Sequence, residues 1–293
     1  MLKKIIIFIA ILILFTSCSD DTNKRLKISA TTWIGYTPLF YAKEKGWLEP
    51  LNIKLLNVSS LSENMHLYKA GNADAYVGTQ YEYNILSKED PLLKPIIMFD
   101  RSNGGDIVMS NVSIETLQNT SQKIDAYLEM DSINNTLLQD FIGRYKIESK
   151  NINYLNKDQT QISILKAKDI QNPTIIVTYV PYNHELEKSG FKEIASTKDG
   201  LDLFVVDAMF TKIDIYHNHE KQFIELKHLV DNSVKALNND PQEFYNTIKP
   251  YMLDMSYSEF KASLEDIIWI NKNLSNELKT RMISSDFPTR DLI

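Results

Sequence analysis

Short apolar runs of strand character alternate with helical stretches bounded by Gly and Pro, and no pattern in this chain restricts its fold more. Residues 26–30 alternate as a strand. Residues 37–46 read as a helix, with Pro38 in the first turn and Gly46 as the stop. A strand at 52–58 leads to a helix at 62–71, capped by Ser62 and ended by Gly71. A strand at 73–78, a short helix at 80–87 and strands at 94–99 and 106–109 complete a first unit. The same grammar then restarts. Strands are expected at 123–128, 152–155, 174–178, 191–195 and 203–206, with helices at 132–145, 159–167 and 181–190. Beyond Asp207 the pattern turns helical, with segments at 209–237, 241–252, 256–269 and 274–283. Strand and helix at this spacing predict an α/β chain whose sheets are parallel and covered on both faces. Two α/β units and a helical tail fit either two consecutive domains or two lobes, with the tail returning to the first.

Ahead of this body stands a segment of a different kind. Lys3 and Lys4 precede the apolar run 5–15, and Thr16-Ser17-Cys18 follows. A basic start, a short apolar core and small residues before a cysteine make a bacterial secretion signal. The run is too short to cross a bilayer, which takes roughly 20 helical residues. The segment resembles a lipobox, except that Phe15 stands where leucine is usual and Leu14 lies one place earlier. It predicts removal of residues 1–17, lipidation at Cys18 and a polar tether over 18–25. The body is then expected outside the cytoplasm, lipid-anchored in the cell envelope on the periplasmic side of the cytoplasmic membrane.

Composition removes several function classes. The net charge is -6, and no long basic run follows Lys24-Arg25, so nucleic acid is not expected as a partner. Cys18 is the only cysteine, which leaves no internal disulfide and no Cys/His catalytic pair. His66, His184, His217, His219 and His228 are scattered, and neighbours two apart do not share a helix face, so no zinc site or other metal site is expected.

The order of several short motifs carries a resemblance: Thr32-Trp33-Ile34-Gly35-Tyr36-Thr37-Pro38, Gly71-Asn72-Ala73-Asp74, Thr79-Gln80-Tyr81-Glu82, Asp100-Arg101-Ser102-Asn103-Gly104-Gly105-Asp106, Glu129-Met130-Asp131-Ser132, Thr178-Tyr179-Val180-Pro181-Tyr182 and Val206-Asp207. Over roughly 26–293 the chain resembles the solute-binding proteins of ABC importers for nitrate, sulfonates, taurine and thiamine precursors. The resemblance implies a two-lobed type II periplasmic-binding-protein fold with a helical C-terminal tail. Lobe one would comprise 26–110 plus 205–293 and lobe two 111–204, with a hinge near 107–110 and 203–206. It also implies a monomer without cofactor that captures a small nitrogen- or sulfur-containing molecule and delivers it to a membrane permease and its ATPase. A lipoprotein feeding a sensor or chemoreceptor would have the same sequence character. An enzyme on this fold, such as the pyrimidine synthase for thiamine, would need a cysteine-rich iron motif and a cofactor lysine.

In such lobes ligands bind beyond the carboxyl ends of the strands. The turns there nominate Trp33, Tyr36, Thr79, Gln80, Glu82, Ser102, Gly105, Asp106, Asp131, Ser132, Thr178, Tyr179, Tyr182 and Asp207. Trp33 and Tyr36 flank Gly35, which permits close approach, and their rings suit a flat, aliphatic or cationic ligand. Ser132 at a helix start is equally an N-cap or an anion contact. Relatives often have Trp-Glu-Pro where this chain has Tyr179-Val180-Pro181, and an acidic pair where only Glu82 remains. The turns offer Glu82, Asp100, Asp106, Glu129, Asp131 and Asp207 against the single base Arg101. That balance disfavours nitrate or sulfate and points to a neutral, zwitterionic or cationic nitrogenous solute.

Overall fold

The structure is a computed structural model and describes residues 24–270 and 274–293. The signal segment and Cys18 lie outside the described residues. The chain runs β1 (Leu26–Thr31), α1 (Thr37–Glu44), β2 (Ile53–Val58), α2 (Leu61–Lys69), β3 (Ala75–Thr79), α3 (Gln80–Glu89), β4 (Leu93–Ser102) and β5 (Asp106–Ser110). It continues through α4 (Ile114–Asn119), β6 (Ile124–Leu128), α5 (Ile133–Arg144), β7 (Ile152–Asn156), α6 (Gln159–Ser163), β8 (Thr174–Tyr179), α7 (Asn183–Lys188) and β9 (Lys192–Ser196). It ends with β10 (Val206–Lys212), α8 (Ile213–Asn218), α9 (Glu220–Asn239), α10 (Pro241–Ile248), α11 (Tyr257–Ser263), β11 (Ile267–Trp269) and α12 (Asn276–Ser284).

These strands build two sheets, in the orders β11-β4-β10-β3-β1-β2 and β7-β6-β8-β5-β9. The second is therefore made only of residues between Asp106 and Ser196, while the first is completed by the returning strands β10 and β11. Each sheet has a parallel part, β2-β1-β3 in one and β7-β6-β8 in the other. The expectation of purely parallel sheets is corrected by β10, antiparallel to β3 and β4, and by β5, antiparallel to β8 and β9. The sequence reading puts 106–110 at the end of lobe one, whereas β5 lies wholly inside the second sheet. The chain crosses between sheets at 103–105 and again at 197–205.

Hydrogen bonds fix those crossings. The Ser102 and Thr197 hydroxyls pair at 2.7 Å, and the Gly104 N–H donates to Thr197 Oγ1 at 2.9 Å. The Asn103 and Gly105 N–H groups both donate to the Asp266 carbonyl, at 2.8 and 3.0 Å. The Gln80 amide donates to the Phe204 carbonyl and accepts from the Val206 N–H at 2.9 Å.

Several elements differ from expectation for local reasons. The cap of α2 is Ser60, not Ser62: its hydroxyl accepts from Glu63 N at 3.0 Å, which starts the helix one residue earlier. Residues 203–205 are irregular, and β10 begins at Val206 and runs through 209–212, read from sequence as helix. Met209 and Phe210 are fully buried between β3 and β4, and this tertiary burial overrides a pattern that passes into α8 without a Gly or Pro break. The stretch 256–269 is α-helical to Ser263, passes through a 3-10 turn at Leu264–Asp266 and closes with β11 on the edge of the first sheet.

The tail packs against the first lobe. Phe40 and Tyr251 stack at 4.4 Å between ring centres, and Tyr41 and Phe244 at 4.5 Å. Both contacts land on α1, the helix that follows the Trp33–Tyr36 turn, so the tail holds one wall of the cleft in place.

Candidate functional site

A cavity lies between the lobes, lined by Thr31, Trp33, Tyr36, Leu61, Thr79 and Asp207 from the first and Asp106, Ile133 and Tyr179 from the second. It leaves about 20 Å³ for the centre of a water-sized sphere, room for one or two waters. Strand register brings these groups together. Thr31 and Thr79 end the parallel strands β1 and β3, and Asp207 pairs with Thr79 across β10. Asp106 pairs with Tyr179 across β5 and β8, so their side chains share a face. The first residues of α2 and α5, Leu61 and Ile133, close the space from opposite lobes.

The aromatic wall depends on glycine. A Cβ on Gly105 would sit 2.4 Å from the Trp33 ring, and one on Gly35 would sit 1.9 Å from Asp100 Oδ2. Trp33 then meets Tyr179 edge-on at 6.0 Å and donates its indole N–H to Asp100 Oδ1 at 3.1 Å. Trp33 is thus both buried and a cavity wall. The Tyr36 hydroxyl donates to Asp207 Oδ1.

Five carboxylates crowd the interior: Glu82, Asp100, Asp106, Glu129 and Asp207 are all buried. Among the described residues none of them is ion-paired with Lys, Arg or His. Arg101 turns away, its guanidinium lying over Phe204 at 5.5 Å. Burial pushes the Asp106 carboxyl up to about 7, outweighing the pull of its contact with Ser102, and the nearby Glu82 adds to the rise. Burial likewise pushes Glu129 up to about 8 against the backbone N–H of Leu61. Asp100 and Asp207 are held well above the ordinary carboxylate range, by burial first; Asp106 adds to the rise at Asp100, and Asp100 to that at Asp207. Burial also raises Glu82, against contacts with Thr79 and Ile133.

Two of these carboxylates reach across the cleft. Glu82, in the first turn of α3, accepts the Ile133 N–H of the second lobe at 2.9 Å as well as the Thr79 N–H of its own capping box. Glu129, at the end of β6, accepts the Leu61 N–H of the first lobe at 2.9 Å. Each lobe thereby places a carboxylate on a helix N-terminus of the other.

Of the residues nominated from sequence, Trp33, Tyr36, Thr79, Asp106, Tyr179 and Asp207 line the cavity. Glu82 accepts from the N–H groups of the lining residues Thr79 and Ile133, Gly105 lies against the Trp33 ring, and Tyr182 meets Tyr179 edge-on at 5.3 Å. Gln80 and Ser102 tie the crossings between sheets, and Ser132 is the N-cap of α5, accepting from Asn134 N at 3.2 Å. Thr178 donates to Gln159 Oε1 at 2.8 Å inside the second lobe. Asp131, one place before the N-cap, is exposed and is not among the lining residues. Thr31, Leu61 and Ile133 are lining residues that the strand-end turns did not nominate. The caps Ser60 and Ser132 immediately before Leu61 and Ile133 were the available signal. Among the described residues no group of three or more His, Cys, Asp or Glu is arranged to hold a metal ion, and no helix is long and apolar enough to cross a membrane.

No family model matches the chain, and no curated protein matches it in sequence. The fold is widely shared among solved structures. The alkanesulfonate-binding protein SsuA from Xanthomonas axonopodis pv. citri, bound to MOPS, is similar with a TM-score of 0.70 at 11% identity, over 92% of this chain and 98% of that one. A zinc-bound ligand-binding component of an ABC-type import system from Staphylococcus aureus matches with a TM-score of 0.69 at 12% identity, over 90% of this chain and 91% of that one. The periplasmic nitrate-binding protein NrtA from Synechocystis PCC 6803 matches with a TM-score of 0.60 at 13% identity, over 80% and 68%. The chain therefore has the two-lobed α/β fold of the periplasmic binding proteins, with its cavity at the junction of the lobes.

Proposed function

We propose that this chain is the lipid-anchored, extracytoplasmic solute-binding component of an ABC importer, taking a small nitrogen-bearing solute between its lobes and presenting it to a membrane permease and its ATPase. The observation that carries this reading is the cavity between the lobes, where buried polar atoms from both lobes converge without partners. Buried polar atoms that find no partner within the protein are costly, and a solute that pairs with them repays that cost. Hinge closure around such a solute is the motion this architecture permits. The Cys18 lipid would hold the receptor beside its permease.

A thermal-shift screen of the full chain in mild detergent tests the reading, with amines, amino acids, nitrate, sulfonates and pyrimidines in the panel. A solute at 100 times its dissociation constant adds about 2.7 kcal/mol of stability, a visible rise in melting temperature. A selective hit abolished by Trp33→Ala supports the reading. A complete absence of shifts, with the lobes staying closed in scattering experiments, refutes it.

A further inference from the structure

Among the described residues, three side-chain atoms at the cavity have no hydrogen-bond partner: Thr31 Oγ1, Asp106 Oδ2 and the Tyr179 hydroxyl. Their residues are 1%, 4% and 3% exposed, so water does not satisfy these groups from outside. All three belong to the cavity lining. Each accepts hydrogen bonds, and a primary ammonium carries three N–H donors and no acceptor. The space left between them is the size of a water molecule, which an ammonium group also matches. Trp33, Tyr36 and Tyr179 supply ring faces and edges around it, and ring faces attract cations. Leu61 and Ile133 offer apolar contact to a short alkyl group.

The same surroundings give an anion nothing to pair with. Asp106 and Asp207 line the space, and no basic residue does. Helix N-termini would otherwise be the natural place for a sulfonate or carboxylate. Two of them reach this cavity, through Leu61 of α2 and Ile133 of α5. Both N–H groups are already occupied, at 2.9 Å each, by Glu129 and Glu82 of the opposite lobe. The protein thus fills, with its own carboxyl groups, the places where a ligand's anionic group would go.

We propose that the cavity selects a small primary ammonium ion carrying no anionic group, and that Glu82 and Glu129 are the specificity-determining residues that close it to sulfonates, carboxylates and nitrate. This rests on the solute-binding reading above and sets the ligand's charge and donor pattern.

Isothermal titration of the full chain tests it: methylammonium and ethylammonium against taurine, ethanesulfonate, tetramethylammonium and potassium. The alkylammonium ions bind, and taurine and ethanesulfonate are at least about 100-fold weaker, because no basic side chain and no free helix N–H is left to pair with their desolvated anionic group. Asp106→Asn weakens ethylammonium at least about 30-fold without lowering the melting temperature. The double variant Glu82→Ala with Glu129→Ala frees both helix N–H groups and lowers the ratio of ethylammonium to taurine affinity at least about tenfold. A purely structural role for the two glutamates would weaken both probes equally and leave the ratio unchanged. Taurine or ethanesulfonate binding as tightly as ethylammonium overturns the proposal. Equal binding of tetramethylammonium or potassium overturns the three-donor assignment. Failure of every probe overturns the ammonium class, while a hit from another class in the wider screen leaves the importer reading standing.

Discussion

Replacing the Asp106 carboxyl by an amide, in Asp106→Asn, changes stability in a pH-dependent way that the structure allows to be worked out. The Asp106 carboxyl is pushed by burial from an ordinary 3.8 up to about 7. A folded-state value above the unfolded one means that the folded chain binds more protons between the two values. Stability is therefore fully present below about pH 4 and is lost as pH rises towards and through 7. A difference of about 3 in pKa corresponds to roughly 4 kcal/mol above pH 8. Opening of the lobes lets water reach the ionised group, so the measured effect should fall between about 1 and 4 kcal/mol. The amide carries no charge at any pH. In urea unfolding the variant should gain about 1–3 kcal/mol on the native chain between about pH 5 and about pH 8.5. Glu129, raised from 4.5 to about 8, gives the native chain a further decline over that window, and the variant should keep that part. Native stability that is flat or rising between these two pH values, or a variant with the native slope, would refute the reasoning.

Two other perturbations follow from the geometry. Gly105→Ala places a methyl group 2.4 Å from the Trp33 ring. It should cost about 1–3 kcal/mol, read as a melting-temperature drop of a few degrees, and should reduce solute affinity because the aromatic wall is displaced. Gln80→Ala removes both bonds that tie the crossing segment at Phe204 and Val206. The loss should be about 1–3 kcal/mol, with faster hydrogen exchange at the Val206 amide; unchanged protection there would show that the strand pairing of β10 alone holds the segment.

Much of the architecture is legible in the sequence because parallel strands announce themselves. β1, β3, β6 and β8 are apolar runs ended by turn residues, and their carboxyl ends bring Thr79 and Tyr179 to the cavity, with the Trp33–Tyr36 turn following β1. The antiparallel strands are harder to read. β5 begins with Asp106, and Asp207 is the second residue of β10; both face the cleft, yet nothing local says which sheet a strand will join. That choice left β5 misplaced by one lobe and β10 hidden at the start of a helical pattern. Leu61 and Ile133 look like ordinary first residues of helices. Their role at the cavity follows only from lobe closure, a long-range event that no window of sequence encodes. Asp131 shows the opposite failure, since its place just before the Ser132 cap keeps a promising carboxylate out of the cavity. The acidic balance of the turns was visible at once, but not that Glu82 and Glu129 would each cross to the other lobe.

The order of strands in the first sheet has a consequence for how the chain acquires its structure. β10 lies between β3 and β4, so those two strands face each other across a gap until residue 212 has been made. The second sheet uses only residues between Asp106 and Ser196 and can form as soon as they emerge. The lobe that begins first is thus finished last. Until then it presents unpaired strand edges, at β3 and β4, of the kind that invite misassociation. A chain that stops short of β10 keeps one intact lobe and one open sheet, which makes the strand carrying Asp207 the closing piece of the molecule as well as part of its cleft.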